Sequence, residues 1–135
     1  MPAALIVLVL GTTTRVAPAQ AQKIRTEEET AKILVLEKVN VRDGVVSGAV
    51  RNLAKHSVRE VQLFIRYTWL WDDERNPGKT DPGTSTYHLL KETFEPGATV
   101  EFTFKPVPPL PKISGGRFDT SVMISGFTEV IPQTK

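Results

Sequence analysis

From Arg59 to Trp71 the side chains alternate in character with almost no exception. Val61, Leu63, Ile65, Tyr67 and Trp69 fall on one side, and Gln62, Phe64, Arg66, Thr68 and Leu70 fall on the other. A repeat of two is the signature of an extended strand with one face turned to a core. A strand cannot bury that face by itself, so a sheet must pack against another sheet or close on itself. This one run therefore excludes a helical bundle. A strand of this length is also unusual, and a bend or bulge is expected near Thr68–Trp71.

The same period recurs from Lys32 onward. Leu34 and Leu36 alternate with Ile33 and Val35, and the run continues through Val39 and Val41 to Asp43-Gly44. Asp-Gly accepts positive φ and favours a two-residue hairpin turn, so Lys32–Arg42 and Val45–Asn52 are predicted to pair antiparallel. Leu53–Val58 reads as a polar connection, and Asp72–Thr84 (D-D-E-R-N-P-G-K-T-D-P-G-T) as a solvated loop rich in turn residues. Ser85–Phe94 regains strand character. Pro96-Gly97 suits the centre of a type II turn. Thr99–Lys105 then alternates with Val100, Phe102 and Phe104 inward. Four prolines between Lys105 and Arg117 forbid a sheet ladder and mark an extended crossover. Phe118–Ile131 is the closing strand. The expected fold is an immunoglobulin-like antiparallel β-sandwich of about six to seven strands.

The first residues read as an address. Ala3 to Leu10 is A-A-L-I-V-L-V-L, too short for a membrane span of about 20 residues. A polar stretch follows, and then small residues at Ala19 and Ala21 in an A-x-A pattern, with cleavage expected after Ala21. The expected organisation is a signal peptide over residues 1–21, a polar spacer over 22–31 and a β-sandwich over 32–135. In the spacer, Thr26 and Glu29 have the spacing of a capping box, so one helical turn is possible there, with a flexible linker the favoured reading. Export in a chain without cysteine suits a bacterial periplasm or exterior.

Composition removes several function classes. The 17 Lys and Arg and 15 Asp and Glu give a net charge of +2, scattered along the chain, which does not make a nucleic-acid footprint. The lack of cysteine excludes disulfides, thiolate metal sites and cysteine nucleophiles.

The order Val46-x-Gly48-x-Val50-x-Asn52, then Val61-x-Leu63-x-Ile65, then Phe94-x-Pro96-Gly97 with Phe102, resembles the FxLYD-type domains. In these small bacterial sandwiches a G-x-V-x-N strand precedes a long strand, and an L-x-P-G-x-x-x-x-F element follows. Here Phe94 stands in place of the leucine, and the resemblance covers about Val45 to Phe104. Trp69-Leu70-Trp71-Asp72-Asp73-Glu74 departs from the family pattern, as does the proline-rich crossover. The resemblance implies a fold and a cell-envelope setting. It implies no catalytic residues.

Catalytic chemistry finds little to stand on. The two histidines, His56 and His88, read as surface residues, and no G-x-S-x-G elbow is present. Asp72, Asp73, Glu74 and Asp81 crowd one loop, and carboxylates suit calcium. An EF-hand starting at Asp72 nevertheless has Pro77 in its glycine position and Gly83 in place of its closing glutamate. Trp69 and Trp71 share a strand face: exposed, they would stack on sugars or a partner; buried, they continue the core. Trp71, nearest the loop, is the better anchor. Two P-x-x-P matches in Pro106–Pro111 read as a stiff connection. The expectation is an exported, non-catalytic binding or scaffolding module, needing no cofactor or metal and having no membrane span after processing. It would hold another envelope or extracellular protein through the Asp72–Thr84 loop and an edge strand. The alternative is a small carbohydrate- or calcium-binding sandwich using Trp69, Trp71, Asp72, Asp73, Glu74 and Asp81.

Overall fold

A computed structural model describes residues 26–132. The expected signal peptide, with Ala19 and Ala21, and residues 22–25 of the expected spacer lie outside the described residues.

Six strands form in chain order: β1 (Leu34–Arg42), β2 (Val45–Asn52), β3 (Ser57–Trp71), β4 (Thr84–Leu90), β5 (Thr99–Phe104) and β6 (Gly116–Val130). They make two antiparallel three-stranded sheets, ordered β1-β2-β5 and β4-β3-β6. Consecutive β2 and β3 lie in opposite sheets; β5 then returns to β2 and β6 to β3. This is the immunoglobulin-type sandwich expected from the alternation. Leu34, Val46, Val50 and Phe102 of one sheet meet Val61, Leu63, Ile65 and Tyr67 of the other in one apolar core.

The first hairpin turns where Asp-Gly stands. Asp43 (φ 51°) and Gly44 (φ 81°) both take left-handed backbone, and Arg42 pairs with Val45 directly across the turn. That geometry matches the right-handed twist of the flanking strands. Pro96-Gly97 also turns as expected: Gly97 has φ 80° and the Ala98 amide donates to the Glu95 carbonyl at 2.9 Å.

Three expectations are corrected. The irregularity in β3 lies at its start, between Arg59 and Gln62, and not near Thr68–Trp71, where pairing with β6 runs unbroken to Trp71 opposite Gly116. Val58 and Val61 are both buried with Arg59 and Glu60 exposed between them, so the chain needs one extra residue to bring both valines inward. A bulge supplies it, with Glu60 at φ 54°. Next, β4 stops at Leu90, and Phe94 reaches the sandwich through an isolated bridge to Val58. Finally, Glu27–Ala31 form a helical turn, α1, in which both capping-box bonds are made: Glu29 N–H to Thr26 Oγ1 at 3.1 Å and Thr26 N–H to Glu29 Oε1 at 2.9 Å.

Two polar residues tie the layers together. Asn52 is fully buried at the end of β2. Its amide nitrogen donates toward the carbonyls of His56 (2.9 Å), Phe94 (3.0 Å) and Glu95 (3.2 Å), and its side-chain oxygen accepts from Ala54 N–H at 2.9 Å. One side chain thus binds backbone groups of two connections and holds them to the end of β2. Tyr67, on β3, donates its hydroxyl to the Gly44 carbonyl at 2.6 Å, fastening one sheet to the hairpin of the other. Burial holds the Tyr67 hydroxyl above its ordinary pKa.

Candidate binding face

The residues singled out by sequence do not gather into one site. Trp69 is buried at 7% exposure and edge-on to both Phe118 (4.8 Å between centroids) and Trp71 (5.5 Å). Gly116 lies flat against it: a Cβ there would stand 2.7 Å from Trp69 Cε2 and Cζ2. Trp69 is therefore a core residue. Its Nε1 is buried and has no hydrogen-bond partner among the described residues. Trp71 is half-buried, with Gly78 and Gly115 against its ring. The Asp72–Thr84 loop thus folds partly over it.

The loop carboxylates are engaged locally. Asp73 accepts from Asn76 Nδ2 and from the Arg75 amide, both at 3.0 Å, and these bonds hold its carboxyl below the ordinary range. Asp81 accepts from the Gly83 amide at 2.8 Å. Among the described residues no three His, Asp or Glu side chains converge as a metal site would require, so Asp72, Asp73, Glu74 and Asp81 do not form one.

The histidines are not simple surface residues. His56 Nε2 meets Glu129 Oε2 at 2.5 Å, joining the β2–β3 connection to β6. His88 is half-buried, and its ring packs on Phe104 of the opposite sheet at 5.2 Å.

What the structure does assemble lies on the outside of the β4-β3-β6 sheet. The ladder sets Phe64 of β3 opposite Tyr87 of β4 on one side and Met123 of β6 on the other. These three outward side chains form a continuous row, with Phe64 and Tyr87 in ring contact at 5.0 Å. The adjacent row pairs Gln62 with Leu89 and Gly126. Tyr87 is 60% exposed, Leu89 49% and Met123 41%, so most of this apolar surface faces solvent. An antiparallel sheet with one wet face normally shows polar residues there.

This surface is concave. Phe64, Tyr87, Leu89 and Met123 line a groove of about 750 Å³ together with polar neighbours that include Gln62, Ser125 and Glu60. Thr128 donates to Glu60 Oε1 at 2.7 Å, which fixes the carboxylate. The bulge accounts for Glu60 being outward at all, since regular alternation from Val58 would turn it inward. Both strands that wall the groove, β4 and β6, are edges of their sheet.

Sequence reasoning missed this face because its members are dispersed. Phe64, Tyr87, Leu89 and Met123 are each single apolar residues in mixed rows, and only the strand register brings them together. The available signal was Phe64 standing among Gln62, Arg66 and Thr68. Comparisons with protein-family models, curated proteins and solved structures give no match to this chain. Among the described residues no helix is long and apolar enough to cross a membrane.

Proposed function

We propose that the protein is an exported, non-catalytic interaction module of a bacterial cell envelope, and that it docks a partner protein on the outer face of the β4-β3-β6 sheet. The observation that carries this reading is the in-register row Tyr87–Phe64–Met123, solvent-facing in a sheet whose other face already fills the core. Solvent-facing apolar surface gathered into one concave patch is characteristic of interaction sites. The row rests on a rigid ladder, so little ordering is needed when a partner arrives. Export is supported by the apolar run Ala3–Leu10 with Ala19 and Ala21 behind it. An envelope role also agrees with the FxLYD resemblance of the β2, β3 and β5 segments, including the buried Asn52 that closes the G-x-V-x-N element.

A photoreactive side chain tests the face in cells that make the protein natively. Placed at Tyr87 it should yield a covalent adduct with a second polypeptide; placed at Thr103, exposed on the other sheet, it should not. The mature protein in those cells should begin at Gln22. Adducts of equal yield from both positions, or from neither, would remove the docking reading.

A further inference from the structure

We infer that the end of the sandwich beneath the proline-rich crossover binds a small carboxylate with an apolar body. This goes beyond the docking reading, and no residue of the Tyr87–Phe64–Met123 row takes part in it.

The site arises where the two sheets stop matching. The first hairpin turns at Gly44, whose carbonyl takes the Tyr67 hydroxyl. The β3–β6 pairing runs on past that point, to Trp71 opposite Gly116. Trp69 and Trp71 therefore stand beyond the end of the opposite sheet, and connections cover them instead. Gly78 of the Asp72–Thr84 loop lies on Trp71. The crossover span from Pro111 to Ser114 meets Trp69 and Phe118 in a cleft of about 470 Å³. That volume suits a small molecule.

Trp69 sets what the ligand must bring. It is only 7% exposed, it stands in the cleft wall, and its Nε1 has no acceptor among the described residues. A buried donor left in this way is uncommon and costly in a folded protein. An indole N–H can only donate, so the ligand atom that relieves it must be an acceptor.

Charge chooses among acceptors. The cleft lining includes Lys112 and Arg117 and no Asp or Glu. Neither cation forms an ion pair among the described residues. From Lys105 to Arg117 the crossover carries no acidic residue at all. A cationic rim without acids favours an anion over a neutral acceptor. Trp69, Phe118, Pro111 and Ile113 supply apolar wall for the rest of the ligand. One indole donor and two exposed cations fit a singly charged head; a phosphate would ask for more donors.

Access to the indole follows from how the crossover is held. Leu110 rests on Gly44 at one end, and the Gly115 carbonyl accepts from the Asp72 amide at 2.9 Å at the other. Between these anchors Pro111–Ser114 is exposed and belongs to no strand. A small outward displacement of this span uncovers Trp69 Nε1 without breaking a sheet bond.

The test uses the mature protein, labelled with nitrogen-15, and three probes that share one chain: octanoate, 1-octanol and octylammonium. The chain has two tryptophans and so two indole N–H cross-peaks. Trp71→Phe leaves one and identifies that of Trp69. Octanoate should bind saturably and move the Trp69 peak downfield, as a new hydrogen bond does. It should bind at least fivefold more tightly than octanol, and octylammonium more weakly still. In the double variant Lys112→Gln, Arg117→Gln the octanoate affinity should fall about fivefold, because each exposed charge contributes a few-fold at most, while octanol binding stays unchanged. Both positions are on the surface, and an unchanged melting temperature would show that the fold is intact.

Absence of saturable octanoate binding would overturn the inference. So would octanoate binding that leaves the Trp69 peak in place, or that octylammonium equals. None of these results bears on the docking face, which the crosslinking at Tyr87 decides.

Discussion

The two sheets present outer faces of opposite character. On the β1-β2-β5 sheet the ladder sets Glu37, Ala49 and Glu101 in one row and Val35, Arg51 and Thr99 in the next, with Ser47 beside Thr103. Arg51 and Glu37 form an ion pair over this surface. It is the polar exterior that a half-buried antiparallel sheet is expected to have. On the β4-β3-β6 sheet the corresponding position is held by Tyr87, Phe64 and Met123. Both sheets contribute to the same core, so core packing does not require the difference. A local departure from inside-outside patterning that brings no core burial points to function.

The largest expected effect tests whether both faces stand on one cooperative frame. Asn52 belongs to neither face, yet its side chain satisfies backbone groups of the β2–β3 connection and of the segment around Phe94. Asn52→Ala removes the side-chain partner of the His56 carbonyl and the Ala54 amide and empties a buried position, while the Phe94 and Glu95 carbonyls keep their bonds from Val58 and Ala98; it should cost about 2 kcal/mol. Urea unfolding should remain a single transition with a lower midpoint. A stability within about 0.5 kcal/mol of wild type would show that this corner does not fix the sheets.

A smaller effect is expected where the two sheets are fastened through Tyr67. Tyr67→Phe removes the bond to the Gly44 carbonyl and should cost about 1 kcal/mol near pH 8. The pH dependence has a definite sign. In the unfolded chain the phenol ionises near pH 10, about its ordinary value, whereas burial keeps it protonated to higher pH in the fold. The folded state then holds a proton that the unfolded state has lost, so stability falls as pH rises past about 10 and through the raised value. The contribution is complete below pH 10. Urea midpoints at pH 8 and pH 11 should therefore fall further for wild type than for Tyr67→Phe. A parallel fall would mean that the hydroxyl is not held as the structure shows.

How much of this was legible in the sequence follows from what is local. The alternation in β3, the Asp43-Gly44 hairpin and the Pro96-Gly97 turn depend on neighbouring residues, and all three were read correctly. The β3 bulge was not, because Val58, Arg59, Glu60 and Val61 reveal an extra residue only once both valines are known to be buried. The candidate face is less legible still. It depends on the register of Phe64 with residues 23 and 59 positions further along the chain. The tryptophans stay open in the sequence for the same reason: spacing allows Trp69 to continue the core or to face a ligand, and Gly116 closing over it is a contact between distant segments.

The smallest expected effects bear most directly on the contrast between the faces. Arg51→Ala breaks the ion pair on the polar face, which is partly exposed and should contribute no more than about 1 kcal/mol, less in high salt. Tyr87→Thr removes one cross-strand aromatic contact and keeps a β-branched residue in the strand, again for about 1 kcal/mol or less. By stability alone the two variants should be hard to tell apart. Capture of the partner protein should separate them: unchanged in Arg51→Ala and weakened at least fivefold in Tyr87→Thr. If both variants lose binding together, the partner is responding to stability or to overall charge. If Arg51→Ala alone weakens it, the docking surface belongs on the polar sheet, and the apolar row needs another explanation.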